Sequence, residues 1–256
     1  MAMTKLFSAV LMVLVLLGAS CSKESSYEGD AFTLKLHFRP SANGDSLVMG
    51  QSYINPQGED YSVSTFKFYV SHIQLLDESS EAVAKDQQGI FLVDATDEAT
   101  KTITVKLNSA PFRRIAFQLG VDSIFNVSGA QDGALDPTKG MFWTWSTGYI
   151  MAKLEGNSSF STAPNQALTY HIGGFQGDDA TQRTVTLDLP QQQSWQLEKN
   201  SVTELTIDAD LDKWFLSAHS LPISLSSGTM TPGPLSARFA DNYASMFRID
   251  RIERTK

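Results

Sequence analysis

Four histidines, His37, His72, His171 and His219, are the groups in this sequence best suited to hold an ion. Neutral imidazole is a ligand for copper, zinc, iron and nickel. Their wide spacing excludes a local finger-type motif, so a site made from them has to be assembled by the fold. His171 lies in Tyr170-His-Ile-Gly-Gly-Phe175, whose glycines permit close backbone approach. A structural role and metal ligation are equally open for it. His72 shares strand parity with Phe66, Phe68 and Val70 and reads as a hydrogen-bonded core residue, whereas His219, flanked by Ser and Pro, reads as surface.

The second chemical group is aromatic, in Gly140-Met-Phe-Trp-Thr-Trp-Ser-Thr-Gly-Tyr-Ile-Met-Ala-Lys-Leu-Glu-Gly156. Read as a strand, alternation puts Met141, Trp143, Trp145 and Tyr149 on one side, with two indoles next to each other. A core that needs only volume is more simply filled with Val, Ile or Leu, because a buried indole N–H must find a partner. Two readings follow, an aromatic cluster in a β core and a platform for a sugar or peptide.

Carboxylates offer less. Asp122 and Glu155 are the pair a glycosidase would need, but sequence spacing does not fix their separation. Asp132 and Asp136 are oxygen donors without the regular acidic spacing of a calcium loop, and solvated turn residues are the simpler reading. The nucleophile elbow, the Walker and dinucleotide glycine loops and the His-Glu-x-x-His motif are all missing, which points to a protein that is not an enzyme.

The elements that must position these groups are short strands. Phe32, Leu34, Leu36 and Phe38 alternate with Thr33, Lys35 and His37, a half-buried strand ended by the turn cluster Arg39–Asp45. Residues 61–76 are long enough to run from one strand through a bend. Further strands are predicted at 90–93, 102–107, 115–121, 183–189 and 202–209, and residues 126–140 form a long loop that delivers the chain to the tryptophans. Lys213–Leu216 reads as one helical turn. Phe239, Tyr243, Met246 and Phe247 have helical spacing within 239–249. The fold expected is all-β, an antiparallel β-sandwich with one short C-terminal helix.

Residues 1–20, with Lys5 before a short apolar run and small residues at its end, read as a lipoprotein signal peptide, although Gly18 stands where the lipobox more often has Leu. Residues 21–30 would then be a flexible tether from lipidated Cys21, and 31–256 one domain. That assignment uses the only cysteine, leaves no disulfide, and makes lipid the attachment to the membrane. A formal net charge of −8 with no Lys/Arg run excludes nucleic acid as a partner.

Phe68-Tyr-Val-Ser71, Leu119-Gly-Val-Asp122, Gly133-Ala-Leu-Asp136, Met141-Phe-Trp-Thr-Trp145, Gly148-Tyr149, Lys153-Leu-Glu-Gly156 and His171-Ile-Gly173 occur in the order found in the MbnP-like family, the methanobactin-associated, copper-binding periplasmic proteins and their relatives. The chain resembles that family over roughly Phe32 to Leu189. The resemblance implies a β-sandwich that binds copper through imidazoles and a tryptophan oxidised to kynurenine by a partner di-haem peroxidase. It makes His171 a ligand, Trp143 or Trp145 the modified residue, and Met141 a candidate thioether donor. Relatives often carry a histidine where this chain has Arg39-Pro40, so either His37 or His72 takes that place through a shifted geometry or the two-histidine site is lost. The function expected is an envelope lipoprotein that stores or transfers copper, outer-membrane anchored and periplasmic or surface-exposed. The alternative is a metal-free binding module that uses Trp143 and Trp145 as its platform.

Overall fold

A computed structural model describes residues 32–86, 89–143 and 148–256. Cys21, the signal and tether segments, and Trp145 lie outside the described residues. Fourteen strands are found among them: β1 (Phe32–Ala42), β2 (Asp45–Ser46), β3 (Ser52–Ile54), β4 (Asp60–Leu76), β5 (Ala82–Lys85), β6 (Ile90–Asp94), β7 (Thr102–Leu107), β8 (Arg114–Leu119), β9 (Ile150–Asn157), β10 (Ala167–Gly173), β11 (Arg183–Asp188), β12 (Val202–Asp210), β13 (Gly228–Thr229) and β14 (Phe247–Thr255). Helices α1 (Ser123–Val127), α2 (Asp212–Phe215) and α3 (Pro234–Ala244) are short. None of the described helices is long and apolar enough to cross a membrane.

The strands form two sheets. The smaller runs β14-β12-β1, with β7 and β2 pairing β1, and the larger runs β11-β8-β4-β9-β10-β13, with β3, β5 and β6 also pairing β4. Alternation builds the core between them: Leu34, Leu36 and Phe38 from β1 meet Phe66, Phe68 and Val70 from β4 and Leu168, Tyr170 and Ile172 from β10. Phe38 packs edge-on against Phe68, Phe117 and Phe247, with centroids 5.6, 5.7 and 6.0 Å away. α3 lays Phe239 over Tyr170, with centroids 4.7 Å apart.

The sandwich and the short late helix agree with the sequence reading, and α2 is the predicted helical turn. Four details differ. Most pairings are antiparallel, but β1 lies parallel to β12 from Thr33↔Val202 to Ser41↔Asp210. β1 runs on through Arg39-Pro40, and Pro40, which has no N–H to donate, falls between the last β7 pair at His37 and the first β2 pair at Ser41. β4 runs through a bend as expected, at a bulge where His72 has φ +51°. Core parity shifts there from Val70 to Ile73 and Leu75, so His72 leaves the core face and is exposed, against the expectation of a core residue. Finally, the helix begins earlier than Phe239, and Phe247–Ile249 belong to strand β14.

A buried carboxylate joins this framework. Glu59 is only 4% exposed; its oxygens accept from the backbone N–H of Ile223 at 2.6 Å and of Ser224 at 3.0 Å, and from the Asn55 amide at 3.0 Å. Burial opposes its ionisation, but these hydrogen bonds outweigh burial and lower its pKa. In Glu59→Gln one acceptor becomes a donor facing backbone donors. We expect a loss of about 2–3 kcal/mol, read as a melting temperature lower by roughly 4–12 °C; an unchanged melting temperature would show that the contact is not structural.

Candidate functional site

On β4, β9 and β10 the residues between core positions point to the outer face of the larger sheet. Across the strands they align as Asp94 (β6), Lys67 (β4), Lys153 (β9) and His171 (β10). The lysines are direct cross-strand neighbours, an arrangement that costs energy unless each charge is answered. Lys67 Nζ lies 2.8 Å from Asp94 and donates to the carbonyl of Lys139 at 3.3 Å. Lys153 Nζ lies 3.2 Å from Glu155 and donates to the carbonyl of Gly140 at 3.2 Å. Both ammonium groups therefore hold the chain where it enters Met141–Trp143.

One step along the strands the polar row gives way to Tyr69, Met151 and Gly173, covered by the segment between β8 and β9. There Val121, Leu135, Met141, Trp143 and Tyr149 bury a second apolar cluster against the sheet. Burial raises the pKa of the Tyr69 and Tyr149 phenols, which stay protonated and donate to the carbonyls of Ala134 at 3.2 Å and Leu135 at 2.9 Å. Asn126, 1% exposed, donates to Val121 and Asp122 carbonyls and accepts from the N–H of Tyr149 at 2.7 Å.

The tryptophan segment is not the continuous strand expected from its alternation. Phe142 pairs antiparallel with Tyr149, Trp143 N–H donates to the carbonyl of Gly148, and Ile150 N–H donates to that of Met141, so the chain reverses between Trp143 and Gly148. Tyr149 faces Phe142 across this hairpin, with ring centroids 5.1 Å apart. Trp143 is 4% exposed and its ring lies over Gly173: a Cβ there would stand 2.5 Å from Trp143 Cη2. Only glycine fits under the indole, which accounts for the glycine of His171-Ile-Gly173. The Trp143 face is covered and offers no open platform. Met141 is wholly buried in the same cluster.

The histidines are not brought together. His171 faces outward from the larger sheet, 8% exposed, its Nε2 2.6 Å from Glu155. His37 faces outward from the smaller sheet, where Nδ1 meets Thr102 Oγ1 at 2.9 Å, so the core separates it from His171. His72 pairs with Asp122 at 2.7 Å and His219 with Asp241 at 2.8 Å. Among the described residues no three His, Cys, Asp or Glu side chains stand together as a metal-holding group. Asp122 and Glu155 are each taken up by a different histidine, and Asp136 caps the turn at Thr138. Arg39 is bound to Asp208 at 3.2 Å.

Glu155 and His171 form the best-defined pair. The carboxylate reaches diagonally across from β9 to β10, and no protein partner of His171 Nδ1 is found among the described residues. The hydrogen bond with His171 lowers the Glu155 pKa to about 2 against the opposing effect of burial, with Lys153 assisting. Sequence reasoning placed Glu155 with Asp122 as a carboxylate pair and passed over Lys67, Lys153 and Asn126. The parity of Lys153 and Glu155 in Lys-Leu-Glu-Gly carried the signal, but the register to His171 did not show.

A model of the MbnP family matches residues 32–231 of this chain. Among solved structures, MbnP from Methylosinus trichosporium is similar, with a TM-score of 0.52 and 14% identity over 75% of this chain and 80% of that one. At that identity the likeness concerns the fold. No curated protein sequence matches.

Because its folded pKa lies below the ordinary carboxyl value of 4.5, Glu155 stabilises the fold fully above about pH 4.5 and progressively less as pH falls toward 2. Glu155→Gln should therefore be less stable than wild type at pH 7 and converge with it near pH 2. Melting curves across that range test this, and a difference that persists unchanged at the acid end would contradict it.

Proposed function

The chain belongs to the MbnP family, and on that premise we propose that it is a non-catalytic binding protein of the bacterial envelope that carries copper at a site centred on His171. The observation that supports this is the His171–Glu155 pair. A metal-ligating histidine commonly gives its other ring nitrogen to a carboxylate, which fixes the tautomer and leaves a lone pair for the metal. With Nε2 taken by Glu155, Nδ1 is the nitrogen left to bind. Imidazole fits copper chemically. The described residues add no second imidazole, and the buried Met141 sulfur belongs to the apolar cluster. In this reading His171 alone replaces the expected set of His171, His37, His72 and Met141, and the open coordination suits transfer better than storage.

The rest of the reading follows from the family and the N-terminal sequence. The signal and Cys21 would deliver the protein to the outer membrane by lipid, facing the periplasm or the cell surface. Trp143, which overlies Gly173 two residues from His171 on the same face, is the described indole best placed for conversion to kynurenine by a di-haem peroxidase partner. Opening of the indole ring there would turn its own nitrogen into an aniline-type nitrogen, a further weak donor.

Copper analysis after loading and desalting is the test. Wild type should retain stoichiometric copper, His171→Ala should lose it, and Glu155→Gln should bind about 10–100-fold more weakly. Equal copper in wild type and His171→Ala would refute the assignment.

A further inference from the structure

On the opposite side of the core, the edge of β1 is interrupted. β7 pairs it as far as His37 and β2 resumes at Ser41, and a cleft of about 330 Å³ opens at the gap. Its lining brings together His37, Arg39, Ser46, Glu98 and Lys101. In a chain of net charge −8, three basic side chains converging on one cleft stand out.

Their existing partners leave donors over. The Lys101 side chain is 15% exposed and its counter-ion Glu98 is 83% exposed, so the stem lies along the cleft and the ion pair faces solvent. Exposed ion pairs of this kind are weak and easily exchanged. Arg39 uses Nε and Nη2 on Asp208 and Nη2 on Asp250, and no protein partner of Nη1 is found among the described residues. His37 is fixed through Nδ1 by Thr102, which leaves Nε2, and the Ser46 hydroxyl has no protein partner among the described residues. Guanidinium, ammonium and hydroxyl around one concavity are a donor set for a tetrahedral oxyanion.

We propose that this cleft binds a phosphate-type oxyanion, either free phosphate or the phosphoryl group of a small molecule or lipid headgroup, through Lys101, Arg39, Ser46 and His37, with the Glu98 carboxylate as the group it displaces. The cavity exceeds the size of phosphate and leaves room for an attached group. No residue is shared with the His171 site, so either assignment can fail without the other.

The test is a titration of the isotopically labelled protein with inorganic phosphate, with glycerol phosphate, and with vesicles containing phosphatidylglycerol, followed by amide chemical shifts. Saturable shifts confined to the surroundings of His37, Arg39, Ser46 and residues 95–101 are expected. Lys101→Met should weaken binding at least about tenfold and Glu98→Gln should tighten it severalfold, with unchanged melting temperatures. A response to the soluble anions alone supports a free-phosphate site, and a response to vesicles alone supports a headgroup site. Shifts that do not saturate, or that are the same in Lys101→Met, overturn the proposal.

Discussion

The larger sheet must satisfy two different neighbours at once. Strand alternation sends Phe66, Phe68, Leu154, Tyr170 and Ile172 into the core shared with the smaller sheet, and the residues between them have to face outward. At Tyr69, Met151 and Gly173 the outer face is covered by the β8–β9 segment, which buries a second apolar cluster. Two residues away on each strand, on the same face, that cover stops. Lys67, Lys153, Glu155 and His171 stand at the boundary, shielded from solvent but not from one another. Like charges would be unfavourable there without the carboxylates and the two carbonyls of the covering segment. The same contacts that make the lysines tolerable also set where Trp143 enters the site.

This arrangement assigns each histidine a local role. Every imidazole has a hydroxyl or carboxylate partner from a neighbouring element, and His171 is the one two residues from Gly173, which lies under the Trp143 ring. His72 is held at a positive-φ bulge by Asp122, the residue from which α1 begins, so it ties β4 to the start of the covering segment. His219 joins Asp241 of α3, which also binds Arg183 of β11. These two read as structural fasteners, and the chemistry concentrates around His171 and, separately, around Arg39 and Lys101.

Much of this was legible in the chain because alternation is local. The strand of Phe32–Phe38, the short runs that became β6, β7 and β8, the helical turn at Trp214 and the existence of a late helix all follow from the spacing of apolar residues. What stayed hidden depends on distant partners or on unusual backbone. Parallel pairing of β1 with β12 joins residues far apart in sequence, and nothing in Phe32–Ala42 marks the direction of its neighbour. The bulge at His72 places a non-glycine residue at φ +51°, which no local pattern announces, and it reversed the face assigned to that histidine. The reversal between Trp143 and Gly148 defeated an alternation argument that was sound only for an uninterrupted strand. The ordered motifs of the MbnP family were readable, whereas the register that sets Glu155 against His171 was not.

The central claim is that His171 and Trp143 share the outer face of the larger sheet while His37 lies beyond the core. Nuclear Overhauser contacts in the isotopically labelled protein read this directly. A cross-peak between the Trp143 Hη2 proton and the Gly173 α-protons, with none between the ring protons of His37 and His171, is the result predicted. A contact between those two imidazoles, or an indole with no contact to Gly173, would contradict the account.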